Sequence, residues 1–542
     1  MALTRDRIIR DSTDNYLKTI DRNNPPKSSV IEFEILKEIE SCIQAENNVR
    51  AGLGLPKWKS LDKLLPSQIA DIVLQLYHVR SVDCSGVSKS REYDLLCIYQ
   101  DTGKNEGIYI SDETELKTIF DRYRYDISDK ELEEIIRKLK RKAKRTTRCE
   151  NRDLIAVNNG IFDYKNKQLL PFTPDEVFLS KSHIDYIPNV QNPVLHNNDD
   201  NTDWDIESWL NDLFDGDKEM VELIFQIIGA IVRPNVNWGV SAWFYSTVGN
   251  NGKGCLCKLM REICGNETYT SIPLADFSKE FMLEPLVDSS AIIVDENDVG
   301  TYIDKAANLK AVITQDVIQM NRKFKIPIKF QFKGFMVQCL NEYPRIKDRS
   351  DSFYRRQLFV PFVKSFTGAE RKYIKNDYLE RKEVLEYVLC KVLNMNYYEL
   401  KVPKACQLAL DEYKEFNDPV RQFMNEFMEC FVWDLVPYKF LYELYCEWYK
   451  RNFSNTIGQL SKVSFKTEFI SHLGDYPEWT RPLDKDRKDA IIKPANRMDR
   501  PEPLIDEYNL IEWMNPMYRS SIDINKKCIP VLKTGYKGIL RK

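Results

Sequence analysis

Hydrophobic positions follow several rhythms along this chain, and the changes of rhythm divide it. Ser128 and Glu131 have the spacing of a capping box, and Leu132, Ile135, Ile136, Leu139 and Ala143 then share one helical face. The acidic first turn and basic last turns of that helix suit its dipole. Between Asp94 and Ile110, two apolar runs flank a Gly/Asn/Asp turn, which predicts a hairpin. The stretch NGIFDYKNKQLLPFTPDEVFLSK predicts a small β-rich segment, and the polar run His196 to Asp203 a linker. Trp204 to Val232 predicts two helices, with Trp209, Leu210, Leu213 and Phe214 on one face. A buried strand pattern follows from Val240 to Tyr245. After a Gly/Asn loop, Leu256, Leu259, Met260 and Ile263 mark a helix that Gly265 should stop.

Further on, AIIV (Ala291 to Val294) and Gly334 to Asn341 predict strands, with a helix between them carrying Ala306, Leu309, Val312 and Ile313. Ile318 to Phe332 alternates with period two on either side of a basic tip, a second hairpin. Three helical patterns begin near Asp418, Pro437 and Ser461. The insert Pro477 to Pro503 has no clear pattern. The last seventeen residues hold six basic and no acidic side chains in a strand–Gly–strand arrangement, a basic hairpin. Helices followed by such a hairpin suggest a winged helix; a helical bundle cap with a basic tail is the alternative.

The length, 542 residues, allows three or four domains at roughly 150 residues each. Lys plus Arg number 79 against 82 Asp plus Glu, so any nucleic-acid surface must come from local clustering. One such cluster is Arg137 to Arg148, where eight of twelve positions are basic. It reads either as a solvated helix end or as a phosphate-contacting surface. The longest apolar stretch, Leu223 to Val232, is too short for a bilayer span of about 20 residues. The N-terminus lacks a signal-peptide core. Thirteen cysteines without a CxxC pair suit reduced thiols in a cytoplasm and exclude a zinc ribbon. The first 120 residues show no acidic pair on a strand with a basic partner, the arrangement a primase would need.

The chemistry concentrates around Lys253. A loop of Thr247, Gly249, Asn250, Asn251 and Gly252 between a strand and a helix can turn backbone N–H groups toward phosphates, with Lys253 reaching the β- and γ-oxygens. Thr247 stands at the first glycine position of that pattern. Gly254 stands where a hydroxyl would hold Mg2+. Forty-two residues after Lys253, Asp295 and Glu296 follow the AIIV strand; one can hold Mg2+ and the other polarise an attacking water, or both can cap the next turn. Asn341 can bind that water and the γ-phosphate, or serve as a turn residue before Pro344. Arg355 and Arg356 precede another apolar strand and suit phosphoryl oxygens, with plain surface charge as the alternative. At the basic hairpin tip, Arg322, Lys323 and Lys325 surround Phe324, a combination able to grip a single strand.

The order loop–lysine, strand–Asp-Glu, strand–Asn, Arg-Arg–strand resembles the superfamily 3 helicases, an AAA+ branch. It is most similar to the phage and plasmid primase-helicase group that includes the poxvirus primase-helicase. The matching elements are Asn251-Gly252-Lys253, the Asp-Glu strand, Leu340 to Pro344, and Phe353-Tyr354-Arg355-Arg356. The resemblance implies an α/β fold: an AAA+ P-loop core with a parallel sheet and flanking helices, a mixed α+β N-terminal region and a winged-helix-like C-terminal domain. It makes Lys253 the Walker A lysine, Asp295 and Glu296 Walker B, Asn341 the sensor, and Arg355 or Arg356 a finger reaching a neighbouring subunit. Lys323 and Lys325 would face a central channel, and Asp295 would hold Mg2+.

The expected divisions are 1–120 accessory, 121–200 basic helix and β-rich segment, 201–235 helical, 236–400 ATPase core, and 401–542 C-terminal. The expected activity is ATP- and Mg2+-dependent unwinding of DNA by a cytoplasmic hexameric ring on single-stranded and forked DNA. Origin DNA and replication accessory proteins are further partners, and no membrane is involved. Two rival expectations are an AAA+ origin-binding or remodelling protein without unwinding, and a bifunctional primase-helicase.

Overall fold

The computed structural model describes residues 4–265, 267–323, 325–453 and 459–542, leaving aside the side chains of Lys325 and Ile326. It forms two compact units. One comprises Met1–Val299, Lys305–Glu342 and Arg355–Cys406; the other comprises Gly300–Asp304, Tyr343–Tyr354 and Gln407–Lys542. Together they make a mixed α/β protein. Among the described residues, no helix is long and apolar enough to cross a membrane.

The N-terminal core of the first unit runs from Ile8 to Ala143. Helix Ser28–Gly52 buries Ile31, Ile35, Ile39 and Ile43, one residue per turn. The expected hairpin forms from Leu95–Tyr99 and Tyr109–Ile110, and Val79–Asp83 and Lys144–Thr147 complete a four-stranded sheet. Helix Asp129–Lys142 starts at the predicted capping box: Ser128 Oγ accepts from the Glu131 amide, and the Glu131 carboxylate accepts from the Ser128 amide at 3.1 Å. The helix buries Leu132, Ile135 and Leu139 in the same core as the preceding residues, so the expected division at residue 120 falls inside one packed body.

The basic run that begins in the last turns of this helix is largely consumed within the chain. Lys138 and Lys142 meet Asp71, Arg137 meets Glu133, and Arg145 is bidentate on Asp94 at 2.8 Å. Arg148 is half-buried, stacks on Phe330 and donates to the carbonyls of Cys84 and Gln331. A phosphate-contacting surface is thus reduced to the remaining cations of the run.

A second core holds the central sheet. Its strands are β1 (Ser241–Tyr245), β2 (Tyr269–Thr270), β3 (Ala291–Val294), β6 (Phe335–Leu340) and β7 (Gln357–Pro361); β4 (Val317–Arg322) and β5 (Lys325–Gln331) form a separate antiparallel hairpin. The sheet is wholly parallel in the order β2-β3-β6-β1-β7. Its strands read as continuous apolar runs because helices cover it. Helices α1 (Lys218–Val232), α2 (Lys253–Cys264) and α3 (Lys382–Asn394) supply much of that cover. The β-rich segment appears as three antiparallel strands, Leu154–Val157, Gly160–Asp163 and Gln168–Leu170.

The expected linker at His196 to Asp203 is instead a two-stranded hairpin, Leu195–Asn197 with Thr202–Trp204. Asn197 Oδ1 accepts from the amides of Asp199 and Asp200, so the polar residues build the turn, while Leu195 and Trp204 anchor it in the core.

The second unit contains the three expected helices, Pro419–Phe427, Tyr438–Asn452 and Lys462–His472, around an aromatic-rich core in which Tyr445 and Phe465 stack at 4.6 Å. Its antiparallel sheet places the last strand, Gly538–Arg541, between Leu435–Pro437 and Trp479–Thr480. The expected terminal hairpin does not form. Only its second limb is a strand, and Tyr536 exchanges backbone hydrogen bonds with Ile492 of the insert. A partner so distant in sequence leaves no local signature. Gly538 is required there, because a Cβ would lie 2.1 Å from the Val436 carbonyl oxygen.

Glu131 provides a test of the N-terminal packing. The hydrogen bond from the nearly buried Arg124, then that from the Ser128 amide, lower its pKa from 4.5 to about 2. A carboxylate shifted downward contributes stability that is present above its unfolded pKa and lost as pH falls toward its folded one. The unfolding free-energy gap between wild type and Glu131→Gln should therefore be widest near neutral pH and narrow below pH 4.5, as followed by denaturant titration. A gap constant from neutral pH to pH 3 would contradict this ion pair.

Candidate nucleotide-binding site

The register of the parallel sheet assembles the site. Tyr245 pairs with Leu340, and Val294 with Gln338, so β1, β3 and β6 end side by side. The residues that follow them, the loop from Ser246, the Asp295-Glu296 pair and Asn341, therefore share one edge. Crevices outside the carboxyl ends of parallel strands are the usual ligand sites of such sheets.

Lys253, the first residue of α2, is buried, and its ammonium group donates to the Leu340 carbonyl at 2.8 Å, Asn341 Oδ1 at 2.9 Å and the Ser246 carbonyl at 3.3 Å. Burial lowers its pKa below the ordinary lysine value. Asn341 Nδ2 donates in turn to Glu296 Oε1 at 3.3 Å. Three side chains singled out from separate motifs thus form one hydrogen-bonded chain.

The loop is shaped by its small residues. Gly252 caps α2 with φ +82°, and a Cβ there would lie 2.6 Å from Leu213 Cδ1. Asn250 also has positive φ, 51°, and donates to Glu370 Oε1 at 2.8 Å. Ser365 Oγ donates to the Gly249 carbonyl, and the Phe366 amide to that of Asn250, so the segment after β7 braces the loop. Asn251 Oδ1 accepts from the Lys253 amide, and Gly254 lies in the first turn of α2. Thr247 precedes these residues in the connection from β1.

Two neighbours of the carboxylates have no sequence motif to announce them. Arg261, two turns along α2 from Lys253, pairs with Asp295 at 2.6 Å. Burial disfavours its charge, but the Asp295 hydrogen bond outweighs this and raises its pKa. Asn297 is buried and ties the Asp295-Glu296 turn to β6 by donating to Gln338 Oε1 and the Cys339 carbonyl. Its amide side chain in the Asp-Glu-Asn-Asp run was the one available signal.

Among the described residues, no group of three or more His, Cys, Asp or Glu side chains gathers to hold a metal ion. Asp295 and Glu296 are the carboxylates that follow β3 at this edge of the sheet.

Arg355 and Arg356 stand apart from this cluster. They precede β7 at its amino end, where the Ser241 amide donates to the Arg356 carbonyl at 2.9 Å. A five-residue strand at about 3.3 Å per residue separates them by roughly 16 Å from the edge that carries the loop. Neither can touch a phosphate held by its own Lys253.

The β4–β5 hairpin forms as expected, but its cations are not equivalent. Arg322 is mostly buried against Glu284 at 3.5 Å, so its charge is spent within the chain. Lys323 is exposed, and its backbone N–H donates to Glu284. Phe324 and the side chain of Lys325 lie outside the described residues.

The N-terminal sheet does bring an acidic pair onto a basic partner, Asp83 and Asp94 on Arg145. Pairing across three strands concealed it from the sequence. Both carboxylates are buried. Asp83 accepts from Ser85 and Ser88, and Asp94 from Ser81, so they clamp the following loop and keep no face for a substrate.

Three family descriptions match the chain. One, "D5 N terminal like", covers residues 31–215; another, "Poxvirus D5 protein-like", covers 415–499. Between them, residues 244–356 match a "Family of unknown function (DUF5906)", a span that contains Lys253, Asp295, Glu296, Asn341 and both arginines. No curated protein matches. Among solved structures, the apo structure of the NrS-1 C terminal region is 13% identical, with a TM-score of 0.41, over 80% of this chain and 98% of that one. An A form apo structure of the same region is 12% identical, with a TM-score of 0.38, over 76% and 86%. Segments similar to the poxvirus D5 protein thus lie on both sides of the loop and its carboxylates, a likeness to the phage and poxvirus primase-helicase group.

Proposed function

We propose that this chain is an ATP-driven DNA helicase that moves along single-stranded DNA as a ring, in replication of a phage, plasmid or genomic island. The observation that carries this reading is the chain Lys253–Asn341–Glu296, with Asp295 beside it, at the carboxyl edge of a parallel sheet. ATP would lie against the loop, with the N–H groups at the start of α2 and the Lys253 ammonium on its phosphates. Lys253 would exchange part of its bonding to Leu340 and Asn341 for phosphoryl oxygens. Glu296 would accept a hydrogen bond from the attacking water, and Asn341 would fix the Glu296 carboxylate. Asp295 would hold Mg2+, which would supply charge neutralisation for the phosphates.

The distance of Arg355 and Arg356 from their own loop favours action on a nucleotide held by a second copy, and hence a ring, hexameric as the family resemblance implies. The core would then be of AAA+ type. In the second unit, helix Pro419–Phe427, strand Leu435–Pro437, helices Tyr438–Asn452 and Lys462–His472, and strands Trp479–Thr480 and Gly538–Arg541, with the last strand central, support a winged-helix reading and with it a role on duplex or origin DNA. Forked DNA and replication accessory proteins in a cytoplasm complete the proposed setting. A second reading, an origin-binding or remodelling ATPase without unwinding, draws on Arg322, whose pairing with Glu284 takes one cation from the hairpin. Strand separation on a forked substrate with and without ATP distinguishes the two.

Lys253→Ala and Arg356→Ala should each nearly abolish ATP turnover, an arginine of this kind being worth about 10³- to 10⁵-fold. Mixing the two inactive variants should restore measurable hydrolysis, because some interfaces then join an intact loop to an intact arginine. Mixtures as inactive as either variant alone would contradict action between subunits. Lys323→Ala should lose both unwinding and the DNA-stimulated part of hydrolysis, measured on a fluorescent fork; unwinding at the wild-type rate would remove the hairpin from the DNA path.

A further inference from the structure

Residue 254 is glycine where a hydroxyl-bearing side chain is expected. Its backbone is not in the left-handed region, and glycine is a poor helix former, so the conformation does not call for it. A Cβ at this position would lie 3.2 Å from Lys375 Nζ, the end of an exposed side chain that a small shift would move aside, so the close neighbour of Gly254 is an ammonium group. Lys375 sits on the short helix Lys372–Asn376, which packs against α2.

Among the described residues, Lys375, like Lys372 on the same helix, keeps its ammonium uncommitted, whereas other cations around the cavity are committed within the chain. Lys364 is paired with Asp212 and Asp215, Arg371 lies near Asp200, and Lys253 has three acceptors. Among the described residues, the Lys375 ammonium has no acceptor within bonding distance, and its side chain is exposed. It lines a cavity of about 840 Å³ that also touches Asn250 and Gly252 of the loop and the side chains of Trp209 and Phe366. That volume lies in the range of cavities that hold a small-molecule ligand. An uncommitted ammonium, a phosphate-type loop and an aromatic-lined cavity therefore meet at one point.

We propose that Lys375 is a second phosphate-binding lysine of this site, contacting the β- and γ-oxygens of a nucleoside triphosphate from the cavity side, while Lys253 contacts them from the strand tips. The assignment rests on the ATP reading above. Gly254 leaves room for the ammonium, which stands where a serine or threonine would bring a hydroxyl to Mg2+. An ammonium is a fixed charge-assisted donor to phosphate and repels a neighbouring dication. Nucleotide binding should consequently depend less on Mg2+ than a hydroxyl-bearing loop would allow.

Calorimetric titration of the full chain with ATP, in Mg2+ and in EDTA, tests this. Wild type should bind in EDTA within about tenfold of its affinity in Mg2+. Lys375→Ala should bind about 10- to 100-fold more weakly in EDTA, the range expected for a lost hydrogen bond to a charged group. Gly254→Ser should weaken binding by displacing the Lys375 ammonium from its place beside the loop. Gly254→Ser combined with Lys375→Ala should recover binding in Mg2+ but not in EDTA. Lys375→Ala with wild-type affinity in both conditions would overturn the lysine assignment alone. A wild-type chain that binds no ATP, indistinguishable from Lys253→Ala, would overturn the ATP reading and this assignment with it.

Discussion

The site depends on the alignment of three parallel strand tips. The Leu340 carbonyl that accepts from Lys253 belongs to the last residue of β6, and β6 is locked to β1 by the pairing of Tyr245 with Leu340. A slip of one residue would carry Asn341 about 3.3 Å along the sheet, beyond the 2.9 Å bond it now makes to Lys253. It would also turn every side chain of the strand to the opposite face. Both faces of β6 are buried, so the core opposes that slip across its full length. The hydrophobic packing that makes the sheet is thus also what places an ammonium, an amide and a carboxylate in one line.

Much of the chain's positive charge is spent internally. The formal net charge is −3, and many cations that look available in the sequence are bound inside the chain. Arg145 serves Asp94, Arg148 serves two backbone carbonyls, Arg261 serves Asp295 and Arg322 serves Glu284. These pairs fix turns and strand ends where water is partly excluded, and an unpaired charge in such places is costly.

The legible parts of the fold were those with local causes. The capping box at Ser128, the left-handed Gly265 stop and the buried run Ala291 to Val294 appear where their residues predict them. Lys253, Glu296 and Asn341 were each visible as residues suited to phosphate chemistry, and the parallel sheet brings them into contact. What escaped the sequence was non-local. The polar run at His196 became a hairpin because Leu195 and Trp204 find a core beneath it. The tail paired with Ile492 instead of folding on itself, and Asp83 found Arg145 across the sheet. Arg261 and Lys375 carry no pattern that distinguishes them from surface cations until the helices are packed. The D5-like matches on both sides of the loop agree with the family that the motif order resembles.

A motor whose phosphate site is coupled to a basic hairpin must hydrolyse ATP faster when a polynucleotide occupies that hairpin, and contacts to phosphate weaken as salt displaces them. The most direct measurement is steady-state ATP hydrolysis by the purified chain, with and without single-stranded DNA, across a series of salt concentrations. Hydrolysis stimulated by DNA at low salt, with the stimulation fading as salt rises, is the expected result. Turnover indifferent to DNA at every salt concentration, or no turnover of Mg·ATP at all, would contradict the coupling of this site to a nucleic acid.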